Sequence, residues 1–398
     1  MSIEKLPENV LEGYGYIHLN NAANNILEQR LAALERGVGA VVTASGTAAI
    51  ATALLVLLKA GDHIVASNNL YIGTYNFLKV TLSRLGITTT FVDPADVSNF
   101  KKAAKPSTKI FFVESIGNLK LDVLDLKAIS AVAKSFKVPF IVDNTAASPY
   151  LLNPIQYGAD IVIHSLTKYI SASSTSLGGV IIDAGNFDWT NGKFPEFTEV
   201  SENFNGLVYH EALGNTPFIA KARIEGLSNF GAVLSPLNAF QIIQGLETLG
   251  ARIKRHNQNA LNLAQWLGLQ EEVAWVNYPG SESSKYYDLV QTYLSKGQSG
   301  VLTFGLKEGF EAAKKAVNKT KLFSVSDTIG HTKSHIIHPA STTHQRLPDQ
   351  ELAAIGVSKD LIQLSVGLED LELLKADLKE AFKSVKTKKT HKTKFVKL

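Results

Sequence analysis

The stretch IVIHSLTK, residues 161–168, joins an apolar run to a set of reactive side chains. Its first three residues are β-branched, which is typical of a strand buried on both faces of a parallel sheet. The chain then leaves the carboxyl edge of that sheet through Ser165, Thr167 and Lys168, and ligands of open α/β sheets bind at this edge. We interpret Lys168 as an amine that bonds a ligand beside a phosphate site. From this segment alone, an ordinary surface lysine after a strand is an equal alternative.

Strand-like and helix-like patterns alternate on both sides of this stretch. The predicted strands are residues 63–67, 88–93, 109–115, 139–145, 159–165 and 177–183. The predicted helices between them are residues 47–58, 74–85 and 124–136. Strands that alternate with helices indicate a mostly parallel sheet covered on both faces. The fold class predicted for this part of the chain is therefore α/β.

The pattern changes after this region. Residues 185–230 are rich in aromatic residues, Asn and Gly and show little periodicity. Ser235 and Pro236 then form an N-cap and first helical position, and apolar residues recur at helical spacing as far as Leu267. This pattern predicts one long helix that connects two domains. Residues 273–382 mix short strands with amphipathic helices, which predicts a smaller α+β domain.

Composition excludes several classes of protein. The chain has 398 residues, of which 45% are hydrophobic and 19% charged, so most of it can form packed cores. Cysteine is absent, which excludes disulfides, thiolate nucleophiles and cysteine–metal sites. The net charge is +4, but residues 383–398 contain seven lysines and no acid, so the rest of the chain is slightly acidic. A balanced body with a basic tail is not typical of a nucleic-acid-binding domain.

The sequence shows no sign of export or membrane insertion. The first ten residues, MSIEKLPENV, lack a basic segment followed by an apolar one. The longest apolar run, residues 48–58, is too short to span a bilayer and predicts a buried helix. We therefore expect a cytoplasmic protein that binds neither nucleic acid nor membrane.

Three further segments predict groups that complement the lysine at the same edge of the sheet. Residues 140–144, FIVDN, place Asp143 at a strand end, where a buried carboxylate needs a cation. Residues 45–49, SGTAA, begin a helix whose free N–H groups suit a phosphate. Tyr71 follows the strand at 63–67 and could stack on a ring. A lysine, a partner for a ring nitrogen, a phosphate site and a stacking ring together suit pyridoxal phosphate.

The motifs also resemble a known family. The chain is similar, from about Tyr16 to Phe382, to the pyridoxal-phosphate enzymes of cysteine and methionine metabolism, and within them to the O-acetylhomoserine sulfhydrylases. The motifs that carry the resemblance include TASGTAAI (43–50), LYIGTYN (70–76), VESIGN (113–118), VDNTAASPYL (142–151), HSLTK (164–168), SLGGVIID (176–183), HPASTTHQRL (338–347) and LSVGLED (364–370). Residues 186–215 resemble the sulfhydrylases in particular, because the related cystathionine enzymes are shorter here.

The resemblance implies an aspartate-aminotransferase-like architecture of fold type I, with a large α/β domain and a smaller C-terminal α+β domain. On this basis we divide the chain into four parts. They are an N-terminal arm that reaches the neighbouring subunit (1–40), a cofactor-binding α/β domain (41–250), a C-terminal α+β domain (251–385) and a basic tail (386–398).

The resemblance also implies roles for individual residues. Lys168 would bond the cofactor and, once released, move protons between substrate carbons. Tyr71 would stack on the cofactor ring and help to protonate the leaving group. Asp143 would pair with the ring nitrogen, and Asn118 would lie near the ring oxygen. The residues that would hold the phosphate are Ser165, Thr167 and the backbone amides of Gly46 and Thr47. Tyr16 would reach the phosphate of a neighbouring subunit, so a homodimer is the smallest active unit implied and a homotetramer the usual one.

The activity implied is γ-replacement in methionine biosynthesis. Acetate would leave Cγ of O-acetylhomoserine and sulfide or a thiol would add there, giving homocysteine or methionine. One alternative is β- or γ-elimination on cystathionine or methionine. The other is a cofactor-binding homologue with impaired catalysis that serves as a partner subunit.

The sequence departs from the family at positions that hold anions. The family's Tyr-x-Arg near the N-terminus is Tyr16-Ile17-His18 here, and residues 171–174 replace a run that contains glycine and histidine. Gln363 stands where the family has the arginine that binds the substrate carboxylate. Gln363 and Ser334 are therefore the candidate substrate residues. The cations that could substitute for the arginine are Lys333, Arg346 and His335.

The segment from His331 to His344 contains four histidines, whose spacing loosely resembles that of zinc ligands. Pro339 would break any helix that aligned them, and the segment contains no carboxylate. We therefore expect no metal site.

Overall fold

The computed structural model describes residues 21–172 and 175–385 of the chain. The two residues of the predicted N-terminal motif, Tyr16 and His18, lie outside the described residues. The same is true of Ser173, Ser174 and the tail at 386–398. No helix in the described part of the chain is both long and apolar enough to cross a membrane.

A seven-stranded sheet forms the larger part of the molecule. Its strands are β1 (Gly39–Thr43), β2 (His63–Ser67), β3 (Thr88–Val92), β4 (Thr108–Glu114), β5 (Phe140–Asp143), β6 (Ile161–Ser165) and β7 (Gly179–Asp183). Their order across the sheet is β1-β7-β6-β5-β4-β2-β3. Strands β2 to β6 pair in parallel, whereas β7 is antiparallel to both β6 and β1. The sheet is therefore mostly parallel, and the prediction of an α/β fold is confirmed.

Helices cover both faces of this sheet. Those that precede or connect its strands are α1 (Ala22–Glu35), α2 (Gly46–Leu55), α3 (Ile72–Asn76), α4 (Ser98–Ala103), α5 (Leu126–Ser135) and α6 (Ser148–Leu151). Helix α3 continues through a π-helical turn at Phe77–Thr81 to Leu82–Arg84. Neighbouring residues of one strand, such as Phe111 and Phe112, enter two different apolar cores and are fully buried. This burial on both faces explains why the strands appear as continuous apolar runs in the sequence.

A connecting region follows the sheet. It contains the short strands β8 (Val200–Ser201) and β9 (Leu207–Val208), which pair with each other, and the helices α7 (Tyr209–Leu213), α8 (Pro217–Lys221), α9 (Pro236–Leu246) and α10 (Leu249–Leu267). Helix α8 continues as a π-helical segment, Ala222–Leu227, and a last turn, Ser228–Phe230.

The prediction of a single long helix from residue 235 to residue 267 is wrong. The structure has two helices, α9 and α10, which are separated by Glu247 and Thr248. The guanidinium group of Arg252 explains the interruption. It donates hydrogen bonds to the carbonyl oxygen of Gly245 at 2.7 Å and to that of Tyr169 at 2.6 Å. The carbonyl freed at the end of α9 thus has a buried donor, and the chain can turn there at little cost.

The last part of the chain forms a second sheet. Its strands are β10 (Val273–Asn277), β11 (Val301–Leu306), β12 (Ser324–Val325), β13 (His335–Ile337) and β14 (Leu361–Ser365), in the order β10-β11-β14-β13-β12. Its helices are α11 (Tyr287–Tyr293), α12 (Gly309–Val317), α13 (Asp349–Ala354) and α14 (Leu371–Lys383). Apolar residues of this sheet pack with α10, α12 and α14 in a core of their own.

Residues 22–40, which the sequence analysis assigns to an arm, fold against the large sheet of the same chain. Helix α1 buries Leu27 and Leu31 completely. Asn21 caps this helix by accepting a hydrogen bond from the Asn24 N–H group. Strand β1, which was not predicted, follows directly and pairs with β7.

Candidate active site

A cavity of about 240 Å³ lies at the carboxyl ends of β4, β5 and β6. We call one side of it the sheet wall, formed by Glu114, Asp143, Ser165, Lys168 and the first residues of α2. We call the other side the loop wall, formed by Ser299, Val301, Asp327, Ile329 and Gln363. The parallel strands end at one edge of the sheet, so their terminal side chains converge on this cavity, as the sequence analysis expects.

Lys168 lies on the turn that follows β6. The turn is held by the hydrogen bond from the Ser171 N–H group to the Leu166 carbonyl oxygen, at 3.0 Å. The amine Nζ of Lys168 donates a hydrogen bond to Thr328 Oγ1 at 3.0 Å. Burial lowers the pKa of Lys168, and the nearby carboxylate of Asp327 opposes that change. At a given pH, Lys168 is therefore a neutral amine in a larger fraction of the molecules than an exposed lysine would be. The neutral amine is the form that acts as a nucleophile or base.

Two buried carboxylates face the same cavity. Glu114 and Asp143 are cross-strand neighbours at the ends of β4 and β5. Burial raises the pKa of both groups, and for Glu114 the charge of Asp143 raises it further. The Thr145 N–H group donates to Asp143 Oδ1 at 2.9 Å, and the Tyr71 N–H group donates to Glu114 Oε1 at 2.6 Å. A pair of carboxylates in this position favours a ligand that brings a positive charge.

The start of helix α2 provides donors for an anion. Ser45 caps the helix by accepting a hydrogen bond from the Ala48 N–H group at 3.1 Å. Gly46 lies so close to β6 that a Cβ atom there would be 2.6 Å from the Cβ atom of Ser165. The absence of a side chain at Gly46 therefore brings the helix N-terminus next to the Ser165 hydroxyl. The backbone amides of Gly46 and Thr47 and the Ser165 hydroxyl are thus groups that could hold a phosphate.

The remaining predicted cofactor residues also line the cavity. Tyr71 precedes α3 as its N-cap residue and is 42% exposed, so it is not fully covered by the rest of the chain. Burial, Asp327 and Glu114 raise the pKa of its phenol, which therefore stays protonated near neutral pH. Asn118 and Thr167 line the cavity as well. Thr167 Oγ1 accepts a hydrogen bond from the Gly178 N–H group at 3.2 Å.

Of the two candidate substrate residues, one lines the cavity and the other does not. Gln363 lines the cavity, as predicted. Ser334 is absent from the described residues that line it, and its hydroxyl donates to Glu369 Oε2 at 2.8 Å instead. The substrate role assigned to Ser334 thus has no support in the geometry, because the hydroxyl is already bonded within its own loop.

Lys333, Arg346 and His335 do not occur among the described residues that line the cavity either. Lys333 and Arg346 are exposed to solvent, and His335 is buried on β13. Within residues 21–172 and 175–385, Lys168 is the one cationic side chain that lines the cavity. The expectation that one of the other three cations replaces the missing arginine is not supported.

Sequence reasoning missed several residues near the lysine. Glu114 ends strand β4 in the same way that Asp143 ends β5, so an acid at a strand end was a signal that could have found it. Asp327, Thr328 and His331 lie in the loop between β12 and β13. Apart from the histidine spacing that begins at His331, no periodicity or motif marks that loop, and only the folded chain brings it to Lys168.

The histidine-containing segment does not gather its rings around one point. His338 Nε2 bonds the Lys359 carbonyl oxygen at 2.8 Å, and His344 Nδ1 bonds Thr343 Oγ1 at 2.8 Å. In the part of the chain that the structure describes, no group of three or more His, Cys, Asp or Glu side chains is arranged to hold a metal ion.

Comparison with known proteins assigns the class. Residues 2–383 match the family of Cys/Met metabolism PLP-dependent enzymes, and the chain belongs to that family. The protein is therefore an enzyme of a pyridoxal-phosphate-dependent class, as the sequence analysis predicts.

Individual relatives are similar over nearly the whole chain. An O-acetyl-L-homoserine sulfhydrylase of Leptospira meyeri is 48% identical over 379 residues, which cover 93% of this chain and 86% of that protein. A homocysteine/cysteine synthase of Saccharomyces cerevisiae is 41% identical over 386 residues, or 94% and 87% of the two chains. A solved structure from Campylobacter jejuni, assigned as an O-acetylhomoserine (thiol)-lyase and containing N'-pyridoxyl-lysine-5'-monophosphate, superposes with a TM-score of 0.92. It is 37% identical, and the match covers 96% of this chain and 92% of that one.

The residues of the cavity fit the cofactor of this class. The paired carboxylates of Glu114 and Asp143 need a positive charge, which a protonated pyridine nitrogen supplies. The close approach of Gly46 to Ser165 forms a site that accepts a phosphate. Lys168, with its pKa lowered by burial, lies in the same cavity. Charge, donors and reactive amine are thus all suited to pyridoxal phosphate.

Proposed function

We propose that the protein catalyses γ-replacement on O-acetyl-L-homoserine, in which sulfide or a small thiol displaces acetate and gives homocysteine or methionine. The observation that carries the proposal is the position of Lys168, which lies in one cavity with the paired carboxylates of Glu114 and Asp143. The names of the relatives, which include O-acetyl-L-homoserine sulfhydrylase and homocysteine/cysteine synthase, supply the substrate and the product.

In this proposal the sheet wall binds and activates the cofactor. When bound, pyridoxal phosphate withdraws electrons from the α-carbon of an attached amino acid. Asp143 would keep a proton on the ring nitrogen, and Asn118 would lie beside the ring oxygen. The phosphate is held by the amides of Gly46 and Thr47 together with the hydroxyls of Ser165 and Thr167. Tyr16 of a neighbouring subunit would complete this phosphate site.

Lys168 and Tyr71 perform the proton transfers of the proposed reaction. Lys168 Nζ would hold the cofactor in the resting enzyme. As a free amine in the same cavity, it would accept the proton from Cα of the substrate and then the proton from Cβ. Its pKa, lowered by burial, favours the neutral amine that these steps require. Tyr71, whose phenol stays protonated, stacks on the ring and donates a hydrogen bond to the departing acetate.

The loop wall determines how the substrate carboxylate is held. Gln363 offers a neutral amide there, and Asp327 adds a negative charge to the same cavity. Both features disfavour an anionic group, so this enzyme should bind its amino-acid substrate weakly. The same features favour a second candidate function, a cofactor-binding subunit without turnover of its own.

We also propose a division into a cofactor-binding domain (41–250) and a C-terminal domain (251–385). The division is supported by the two separate sheets and by two apolar cores that each lie within one of these ranges. A homodimer or homotetramer is supported by exposed apolar residues on the packed helices α1 and α9, among them Ile26, Leu237 and Phe240. We propose a cytoplasmic location, because the substrates are metabolites of amino-acid synthesis.

The test is a product assay with the purified protein and pyridoxal phosphate. With O-acetylhomoserine and sulfide, homocysteine should appear together with an equal amount of acetate. Release of a 2-oxo acid and ammonia without sulfide would identify an elimination lyase instead. Cofactor absorbance without any product would favour the partner subunit, and light scattering on the same sample measures the assembly.

A further inference from the structure

The loop between β12 and β13 touches the amine of Lys168 through groups that the proposed function leaves unused. The hydroxyl oxygen of Thr328 lies 3.0 Å from Lys168 Nζ and 3.0 Å from His331 Nε2. One hydroxyl group therefore lies between the reactive amine and an imidazole ring.

In one tautomer of His331, with the ring hydrogen on Nδ1, these three groups form a directed chain of hydrogen bonds. A lysine amine donates through its N–H groups, so the Thr328 oxygen accepts from it. A threonine has a single hydroxyl hydrogen, which His331 Nε2 accepts in the tautomer that carries the ring hydrogen on Nδ1. Burial, with smaller contributions from His335, Lys168 and His256, lowers the pKa of His331 to about 4. The ring is thus neutral near pH 7 and has a nitrogen lone pair that can accept.

The hydrogen bond to Thr328 affects the direction in which the lone pair of the free Lys168 amine points. A neutral amine has two N–H groups and one lone pair, and an N–H group that points to Thr328 leaves the lone pair available on another side. Without His331, the Thr328 hydroxyl could instead donate its hydrogen to that lone pair, which would weaken the amine as a base and nucleophile.

We propose that Thr328 and His331 are positioning residues, which hold Lys168 Nζ so that the lone pair of its free amine points into the cavity. Thr328 accepts an N–H of the amine, and His331 keeps the Thr328 hydrogen directed away from it. The proposal rests on the proposed function in one respect, the use of Lys168 as the amine that bonds the cofactor and moves protons.

The backbone of the loop is held close to the segment that carries the lysine. Gly330 has a positive φ of 77°, and its N–H group donates to Ser365 Oγ at 3.1 Å. A Cβ atom at Gly330 would lie 2.6 Å from the backbone nitrogen of Tyr169, the residue after Lys168. The Thr332 N–H group donates to the Ala172 carbonyl oxygen at 3.3 Å. These contacts place the loop on the lysine segment and so support a fixed position for the Thr328 hydroxyl.

Several titratable groups surround this arrangement. Behind the amine, the ring of His335 packs edge-on against His331, with ring centres 4.9 Å apart. The groups that face Lys168 around the cavity are Tyr71, Glu114, Asp143 and Asp327. All of them stay unchanged in the variants below, so differences between variants report on Thr328 and His331.

The rate at which the apoenzyme takes up pyridoxal phosphate tests the proposal without any substrate. In that reaction the Lys168 nitrogen forms a double bond to the aldehyde carbon, the aldehyde oxygen leaves as water, and absorbance follows the change. The rate at high pH, where the amine is neutral, depends on whether its lone pair faces the entering aldehyde. The proposed γ-replacement can fail while this measurement still succeeds, so the two failures are distinguishable.

The variants come in matched pairs. Thr328→Val keeps the shape of the side chain without its hydroxyl, and Thr328→Ser keeps the hydroxyl. His331→Phe keeps a flat ring without an acceptor, and His331→Gln supplies an acceptor oxygen. We expect the high-pH rate to fall about tenfold in Thr328→Val and His331→Phe, the factor expected for one hydrogen bond. The Ser and Gln variants should recover most of it.

Two results would overturn the proposal. One is a high-pH uptake rate within about twofold of the wild-type rate in both Thr328→Val and His331→Phe, since about tenfold is expected. The other is an equal loss in His331→Phe and His331→Gln, which would mean that the ring fills space and that its acceptor nitrogen has no role. Thermal unfolding of each variant checks that the fold is intact.

Discussion

The two walls of the cavity differ in how well their charges suit the proposed ligands. The sheet wall carries two carboxylates for a cationic ring, helix N–H groups for a phosphate and a buried amine for an aldehyde. The loop wall faces a substrate that carries a carboxylate, yet it presents the neutral amide of Gln363 and the acid Asp327. One wall is complementary to its ligand, whereas the other is not.

This difference indicates which wall the proposed function depends on most strongly. Glu114, Asp143 and Ser165 of the sheet wall lie at the ends of adjacent strands. Gln363 on β14 is the residue predicted to stand in place of the family's carboxylate-binding arginine, and no cation of the described chain lines the loop wall. We therefore expect variants of the sheet wall to abolish function and variants of the loop wall to tune substrate affinity.

The largest effect is expected from Lys168→Ala on the sheet wall. This change removes the amine that bonds the cofactor and moves both protons, so turnover should fall by about 10³-fold or more. Borohydride reduction of the holoenzyme, followed by peptide mass analysis, should find the pyridoxyl group at residue 168 in the wild type and none in the variant. Lys101→Ala, an exposed lysine on α4, is the control and should keep both label and turnover. Label retained on the Lys168 variant would end the assignment.

The next effect concerns Asp143→Asn. A neutral amide no longer holds the proton on the ring nitrogen, and removing one partner of a buried charge pair costs about 3–5 kcal/mol. The rate of α-proton exchange with solvent should fall by roughly 10²- to 10³-fold, because about 1.4 kcal/mol corresponds to a factor of ten. Exchange is measured by NMR in heavy water at saturating cofactor. An unchanged exchange rate would mean that another group, with Glu114 the nearest candidate, protonates the ring.

On the loop wall, Gln363→Arg should strengthen substrate binding. An arginine bonds both oxygens of a carboxylate, whereas glutamine offers neutral donors only. Since a buried charge-assisted pair is worth about 2–5 kcal/mol, KM for O-acetylhomoserine should fall by about 30-fold or more, with kcat changing less. Gln363→Met has similar length and no charge, and serves as the control. If KM is unchanged in an active Arg variant, position 363 does not contact the substrate.

The smallest effect is expected from Asp327→Asn. Loss of this charge removes repulsion of about 1 kcal/mol from the substrate carboxylate, so KM should fall by about fivefold. The Asp327 carboxylate also raises the pKa of Lys168, so the midpoint of cofactor uptake against pH should move to lower pH in the variant. Added salt should reduce the KM difference between wild type and variant, since it screens charges. A KM difference that is insensitive to salt would contradict an electrostatic role.

The large sheet and the residues of its wall could be predicted from the sequence. All six predicted strands are present with ends within two residues of the observed ones, because buried parallel strands appear as continuous apolar runs. Because the strands are parallel, Asp143, Ser165 and Lys168 lie at the same carboxyl edge of the sheet. The positions of the strand ends in the sequence therefore predict that these residues share a cavity. Strand β1 was missed because GAVVT runs directly into TASGTAAI, and its partner β7 lies more than a hundred residues away.

Only the tertiary structure decided the break between α9 and α10 and the composition of the loop wall. Helical periodicity continues through Glu247 and Thr248, and the break depends on Arg252 reaching the carbonyl oxygens of Tyr169 and Gly245. The loop that carries Thr328 and His331 has no local pattern that predicts its position, and its path depends on the distant contact between Gly330 and Ser365. The sequence by itself determined which residues end each parallel strand, because that follows from local burial. The loop wall depends on long-range hydrogen bonds, which exist only once the chain has folded.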